Sequence, residues 1–348
     1  MPAAPADVFI RGAGPVGCTL ALALRDSGLR VALLDAPLPL PAFRPLALSY
    51  ASRLILERVG VWSQMTATPI ERILVSQAGA FGRTRLDAGD AGVPALGYVT
   101  EYTALMSALR TAVAGLLTGE ATPARCVVHA EGTPSGESGK RYAQDAVVAL
   151  VHAEPPAAHT AFERFTPEGP LALLPHAGGH AVIWSMRPER AQQLASGSAE
   201  EFLAHFAAAA GAAAGRPTHV ESRSVQALSL KVRSARVEGN EVYIGNAAQT
   251  LHPVAGQGLN LGLRDAWQLA RLFLENGAEA ATLARFAAQR RLDAGATIRI
   301  TDFLAAGFAG ANPLARAARG AALTALDIFP APRRFFARRM IFGASALP

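Results

Sequence analysis

The segment from Asp7 to Asp35 constrains this chain more than any other. A short β-type run, Asp7 to Ile10, leads into Gly12-Ala13-Gly14-Pro15-Val16-Gly17. Helical spacing follows from Thr19 to Ser27, and a buried-strand pattern from Val31 to Leu34 ends at Asp35. This is a βαβ unit. Each glycine has a steric reason: Gly12 permits a tight turn, Gly14 lets a pyrophosphate approach the backbone, and Gly17 lets the helix pack on the strand. The helix start offers unpaired N–H groups and the positive end of its dipole to phosphates. Asp35, about 20 residues on, stands where a carboxylate takes the ribose hydroxyls of an adenosine. The motif fits FAD and NAD alike.

The remaining pattern implies a second, β-rich part. Ile70 to Val99 alternates strand signals with glycines and reads as antiparallel sheet. Ala146 to His152, Phe162 to Phe165, Leu171 to Leu174, Ala181 to Met186 and Val225 to Lys231 read as strands. Helices are expected at Tyr50 to Val59, Tyr102 to Leu117, Glu200 to Ala214 and Gly258 to Asn276, and from Ala281 to about Leu326. Arg125 to Gly139 reads as a loop-rich passage with two short apolar runs at most. The sheet segments interrupt the dinucleotide-type segments, so the expected layout is discontinuous. Residues 1–69, 98–145 and 236–300 would form a Rossmann-like nucleotide-binding α/β domain. Residues 70–97 and 146–235 would form an inserted, mainly antiparallel substrate domain, with residues 301–348 a basic helical end.

A second motif runs from Gly245 to Asn260, Gly-Asn-Ala-Ala-Gln-Thr-Leu-His-Pro-Val-Ala-Gly-Gln-Gly-Leu-Asn, between the strand at Val242 to Ile244 and a long amphipathic helix. A glycine-rich turn at a helix start aims backbone N–H groups at an anion. In a flavoprotein that anion is the N1–C2=O edge of the reduced ring, and Asn246, just after the strand, suits a ribityl hydroxyl. A nicotinamide dehydrogenase would account for Gly12 to Asp35 but leaves this second motif unexplained.

The two motifs together resemble the class A flavoprotein aromatic hydroxylases, the para-hydroxybenzoate hydroxylase-like group. Gly-Asn-Ala-Ala-Gln-Thr-Leu-His-Pro, in place of the wider group's Gly-Asp-Ala-Ala-His, is similar to the ubiquinone-biosynthesis hydroxylases of the 2-octaprenyl-6-methoxyphenol hydroxylase type. Arg44 to Trp62, Leu96 to Glu101, Phe162 to Pro175, Thr301-Asp302 and Leu326 to Gly343 agree with that resemblance, which spans residues 7 to 343. It implies FAD as cofactor, NADPH as electron donor, O2 as co-substrate and a polyprenylated phenol as substrate, hydroxylated through a C4a-hydroperoxyflavin.

By the same resemblance Gly12, Gly14, Gly17 and Asp35 hold the adenosine diphosphate part of FAD, and Arg44 lies near its phosphate and ribityl region. Asn246 takes the ribityl contact, Pro253 and Gly256-Gln257-Gly258 border the ring with His252 close by, and Asn260 fixes the pyrimidine edge. Phe165, Leu173, Pro175 and Trp184 are expected to wall the phenol pocket, while no protein acid or base can be singled out. His176 and His180, flanking a glycine turn, are expected to be solvent-exposed. The family's Ala-Asp-Gly motif corresponds here to Ala130-Glu131-Gly132, with a carboxylate one C–C bond longer, and the connection that follows is short. A non-catalytic member of a quinone-synthesis complex would carry the same flavin motifs, so flavin content and turnover separate the two readings.

Composition limits the alternatives. Hydrophobic residues make up 51% and charged residues 17% of 348, which excludes a disordered chain. Two cysteines, Cys18 and Cys126, build neither a disulfide framework nor a zinc site and suit a reducing cytoplasm. The N-terminus has no signal-peptide pattern, and no apolar run is long enough to cross a bilayer. The net charge is +6 with only Lys140 and Lys231 as lysines, and five of those six charges fall in Pro313 to Pro348. Without a lysine patch or recognition motif, nucleic acid is not the expected partner. Arginines interleaved with Phe335, Phe336, Met340, Ile341 and Phe342 suit an anionic membrane surface or a quinone-synthesis complex, placing the protein at the inner face of the cytoplasmic membrane.

Overall fold

The computed structural model describes residues 5–35, 43–132, 139–155, 158–250, 256–307 and 313–343. With elements numbered in chain order, one six-stranded sheet contains β1 (Ala6–Arg11), β2 (Val31–Leu34), β8 (Leu117–Thr118), β9 (Ala124–His129), β15 (Val237–Glu238) and β16 (Glu241–Tyr243). Its order is β15-β16-β9-β1-β2-β8, with β1 parallel to both β2 and β9. Val8, Phe9 and Ile10 of β1 are buried, as a parallel strand covered on both faces requires.

Four helices complete this unit: α1 (Pro15–Ala23), α2 (Tyr50–Arg58), α4 (Tyr102–Val113) and α7 (Gln257–Asn276). They share one core with the sheet through Leu20, Leu24, Ile55, Leu56, Leu105, Leu109, Leu263, Leu269 and Phe273. Ser49 caps α2 by accepting the Ser52 backbone N–H at 3.2 Å. Cys18 and Cys126 are free and buried, and burial pushes both thiols up to about 12. The segment read as loop-rich contains β9, a central strand beside β1. Its Cys126 and Val128 alternate with half-exposed residues, and that short period carries little sequence signal.

A larger, eight-stranded sheet is formed by β5 (Arg72–Gln77), β6 (Arg83–Asp87), β10 (Gly139–Glu154), β11 (Thr160–Phe165), β12 (Pro170–His176), β13 (Gly179–Met186), β14 (Arg216–Val232) and β17 (Gln249–Thr250). Its order is β17-β14-β10-β13-β12-β11-β5-β6, antiparallel except for the parallel pair β11–β5. Helices α5 (Pro188–Ser196) and α6 (Ala199–Ala210) cover one face. Leu171, Leu173, Val182, Trp184, Val147, Ala149 and Val151 pack there against Leu194, Phe202 and Phe206. A capping box between Ser198 and Glu201 starts α6.

A three-stranded sheet, β3 (Pro45–Ser49), β7 (Gly97–Glu101) and β4 (Thr68–Ile70), joins the two larger ones. Ile70 and Val99, with half-buried Ala47, pack on Ala161, Leu174 and Ala181, which lie on the opposite face of the large sheet from α6. The expected helix from Ala281 is divided into α8 (Ala280–Gly307) and α9 (Pro313–Ile328), followed by α10 (Pro330–Phe342); α3 (Ala88–Ala91) is a single turn. Ala337 and Ile341 of α10 pack against Leu86, Ala88, Ala91 and Leu96, with Phe336 and Phe342 beside them. Part of the expected lipid-facing stripe is thus internal.

Candidate active site

The first glycine motif folds as a turn and helix start whose spacing is fixed by sterics. Gly12 has φ +105°, and a Cβ there would lie 2.8 Å from Glu131. A Cβ on Gly17 would lie 2.0 Å from the Gly12 carbonyl oxygen, so only glycine lets α1 approach β1 this closely. Gly14 is the N-cap of α1, makes no side-chain cap, and has open space where a Cβ would point. The exposed N–H groups of α1 thus face a space that admits a pyrophosphate, as an FAD site requires.

Asp35 follows β2, but both of its oxygens accept from the Arg110 guanidinium of α4, at 2.9 and 2.8 Å. That fork holds its carboxyl below the usual range. The ribose acceptor expected from sequence is therefore half of a bidentate ion pair, and Arg110 was not foreseen. Arg44 is exposed, with its guanidinium 5.0 Å from the Tyr102 ring centre at the start of α4. Glu131, in place of the family's aspartate, pairs with Arg11 at 3.3 Å and His129 Nδ1 at 3.1 Å, and so lies against the Gly12 turn.

The second motif is held to the first by size complementarity. Cβ atoms on Gly245 (φ +58°) and Gly262 would meet Val16 Cγ2 at 3.0 and 2.7 Å, so the methyls of Val16 seat between two glycines. Asn246 is exposed in the short turn Gly245–Ala247 after β16. Gly256 is the αL N-cap of α7, and a Cβ on it would meet Ala47 Cβ at 3.1 Å. Gly258 has open space beside it, and Gln257 is buried. His252 and Pro253 lie outside the described residues.

Asn260 has a different role from the expected one. It is 2% exposed, and its Oδ1 accepts from Ser49 N and Ser52 Oγ while its Nδ2 donates to the Ala47 and Gly256 carbonyls at 2.7–2.8 Å. Its hydrogen-bonding groups are spent on clamping β3 to α7, so it shapes the Gly256 turn without reaching a ring itself.

A buried charge network anchors the same segment. Asp265 of α7 accepts from Gly245 N at 3.1 Å, Gln249 Nε2 at 3.0 Å, Arg236 at 3.3 Å and Arg290 Nε at 2.6 Å. Arg290 and Arg264 also pair with Asp293. Burial alone would raise the Asp265 pKa, but Arg290 and Arg236 hold it below the ordinary carboxylate range. Burial pulls the Arg264 guanidinium down.

The pocket wall divides by strand alternation. Leu173 and Trp184 point to the α5–α6 side and are core, not pocket. Pro175 is register-paired with His180, whose Nε2 meets the Ala214 carbonyl on that same side, so Pro175 faces away as well. His180 is fully buried and His176 bonds Glu101 at 3.2 Å, so neither is the exposed turn residue expected. Phe165 has the opposite parity and lies under α9, with Arg319 5.5 Å from its ring centre. On its face Ile73, Val75, Glu163, Ala172 and Ile183 retain accessible surface, whereas Leu171, Leu173, Val182 and Trp184 across the sheet retain almost none. The Phe165 side is an apolar floor, continuous with the cluster that touches Ala47 and hence Gly256.

Comparison with known proteins agrees with this geometry. Residues 124–301 match the FAD binding domain family. The chain is 31% identical to ubiquinone hydroxylase UbiL of Rhodospirillum rubrum over 96% of its own length and 89% of that protein. The chain belongs to the FAD-dependent ubiquinone hydroxylase family. It is also 29% identical to 3-demethoxyubiquinol 3-hydroxylase of Escherichia coli, over 93% of this chain and 95% of that one. The fold is that of p-nitrophenol 4-monooxygenase PnpA from Pseudomonas putida (TM-score 0.77, 17% identity, 99% of this chain and 100% of that one). Klebsiella pneumoniae HpxO with FAD shares it too (TM-score 0.73, 15% identity, 91% of this chain and 94% of that one). This family member is an FAD-binding enzyme of the monooxygenase class. No described helix is long and apolar enough to cross a membrane.

Proposed function

We propose that this family member hydroxylates the aromatic ring of a polyprenylated phenol in ubiquinone biosynthesis, taking electrons from NADPH and oxygen from O2. The observation that carries the reading is the apolar, accessible floor of the large sheet beside the Gly256 turn, which suits a ring bearing a hydrocarbon tail. FAD, when bound, supplies the activated oxygen. The chain's own part is to seat the pyrophosphate on α1 and present the N-terminus of α7 to the anionic side of the reduced ring. The sheet then keeps water away from the phenol.

The substrate's tail also bears on location. Ile328, Phe329 and Phe335 are exposed at the α9–α10 corner beside exposed Arg334 and Arg338, a combination suited to an anionic bilayer surface. That corner would place the enzyme peripherally on the membrane that holds its substrate.

The test is direct. The purified protein should show a flavin spectrum and oxidise NADPH faster with a prenylated methoxyphenol, releasing the hydroxylated ring. A colourless protein that FAD fails to reconstitute overturns the reading. Replacing Phe329 and Phe335 with serine should weaken binding to anionic liposomes and leave FAD content unchanged; unaltered liposome binding refutes the membrane contact.

A further inference from the structure

Glu163 is the one carboxyl that strand parity places in the apolar floor described above. It sits in β11 between Ala161 and Phe165, pairs in register with Ala172 of β12 and Val75 of β5, and keeps part of its surface accessible. Ala161 belongs to the cluster that reaches Ala47, and Ala47 touches the Gly256 turn. A carboxylate in such a place costs stability unless it has work to do, because burial without a partner disfavours its charged form. Burial pushes the Glu163 carboxyl up to about 7.

Charged groups on every neighbouring element are engaged elsewhere. Arg164, next in the strand, points through the other face to the Ala209 carbonyl. Arg319 of α9 lies over Phe165 and donates to Gln77 of β5. His176, at the end of β12, bonds Glu101 of β7. Arg83 and Arg85 of β6 pair in register with Ser76 and Leu74, which have the parity opposite to Val75 and Glu163.

We propose that Glu163 is a catalytic residue that accepts the hydroxyl of the bound phenol and takes its proton as the ring is attacked, an inference that rests on the hydroxylase reading. The only other chemistry on this floor is hydrocarbon, so a phenol's single polar group has one acceptor to find, and the ring orientation follows from it. The phenol O–H bond opens toward Glu163 as the new ring C–O bond forms. The hydrogen displaced from that carbon leaves as a proton on rearomatisation, and Glu163 returns its own proton to the phenol oxygen. One atom of O2 enters the ring and the other leaves as water, with both electrons drawn from NADPH, so Glu163 is unchanged after each turnover. A base matched to neutral pH contributes about 10²–10⁴-fold to such a step.

The experiment compares the FAD-loaded wild type with Glu163→Gln and Glu163→Asp, using a short-chain prenylated methoxyphenol. Phenol affinity is read by calorimetry and hydroxylated product by chromatography, from pH 5.5 to 9. In the wild type, product formation should rise with pH through about 7. Glu163→Gln should keep its flavin spectrum and oxidise NADPH without product. Its hydroxylation should fall by about 10²-fold or more and lose the pH rise, with Glu163→Asp intermediate. A Glu163→Gln enzyme that hydroxylates within about threefold of wild type, on an unchanged pH profile, overturns the proposal. Wild type that binds FAD and phenol without product refutes the hydroxylase reading alone, and the effect of Glu163→Gln on phenol affinity then decides this one. Wild type that binds no phenol refutes both.

Discussion

Gly14 and Gly17 lie three residues apart, and the structure predicts opposite consequences for adding one methyl group to each. At Gly14 the backbone has φ −78° and ψ −178°, extended geometry open to any residue, and a Cβ would meet nothing within 4 Å. Gly14→Ala should therefore leave the unliganded fold within about 1 kcal/mol of wild type, a small capping loss being offset by reduced unfolded-chain entropy. The methyl would, however, occupy the space in front of the α1 N-terminus, where the pyrophosphate must come to hydrogen-bond distance. FAD affinity should fall by about 10- to 100-fold, the equivalent of about 1.4–2.8 kcal/mol. At Gly17 the added Cβ would be 2.0 Å from the Gly12 oxygen, more than 1 Å inside contact, so α1 must lift from β1. Overpacking of this kind costs about 1–3 kcal/mol or more. Gly17→Ala should thus lower the thermal midpoint by several degrees with or without flavin. Circular dichroism on the FAD-free proteins and titration of flavin fluorescence separate the two effects. If Gly14→Ala binds FAD as wild type does, the pyrophosphate does not lie at the α1 start and the site assignment is wrong.

Other consequences follow from the charged groups. Asp265→Asn should cost about 3–5 kcal/mol in urea denaturation, because it leaves the buried Arg290 guanidinium without its principal counter-charge, and FAD should be lost as the Gly245 segment loosens. Arg110→Met should change stability by less than about 1 kcal/mol, since the pair with Asp35 is partly exposed, while the Asp35 carboxyl signal in NMR titration should move up toward 3.8. Glu163→Gln should stabilise the protein at pH 8. Raising a carboxyl from 4.5 to about 7 on folding costs up to about 3 kcal/mol above pH 7, less whatever water on the floor restores. Below pH 4.5 the carboxyl is protonated in both states and the variant should gain nothing, so equal gains at pH 8 and pH 4.5 in chemical denaturation would count against a desolvated Glu163.

Much of the fold and of the FAD cradle is legible in the sequence for one physical reason. Where backbone must approach backbone or phosphate, only glycine fits, and the constraint is local: Gly12, Gly17 and Gly256 each exclude a Cβ in a space set by neighbours in the same turn or by one close strand. The pocket wall was less legible because a strand buried on both faces shows little alternation. Leu171 to Pro175 reads as one apolar run, and which of its two faces α6 covers is decided by residues 30 positions away, Phe202 and Phe206. Leu173, Pro175 and Trp184 were therefore placed on the wrong face, whereas Phe165 has the right parity. One signal could have corrected this: Arg164 and Glu163 alternate within the run, and two charges on opposite faces of a buried strand need different environments.

Asp265 carried a comparable signal, since it stands at the i+4 position from Leu261 and i−4 from Leu269 on the apolar stripe of α7, where a charge implies a buried partner. Its partners Arg236 and Arg290 are remote in sequence, so their identity could not be read there. Asn260 shows the limit from the other side, because its residue type suits a ring contact and a strand clamp equally. Only the four partners at Ala47, Ser49, Ser52 and Gly256 decide between them. The catalytic floor thus depends on contacts made at long range, and the cofactor cradle mainly on contacts made within a turn. Substitutions in the floor should accordingly alter which phenol is taken before they alter whether FAD is held.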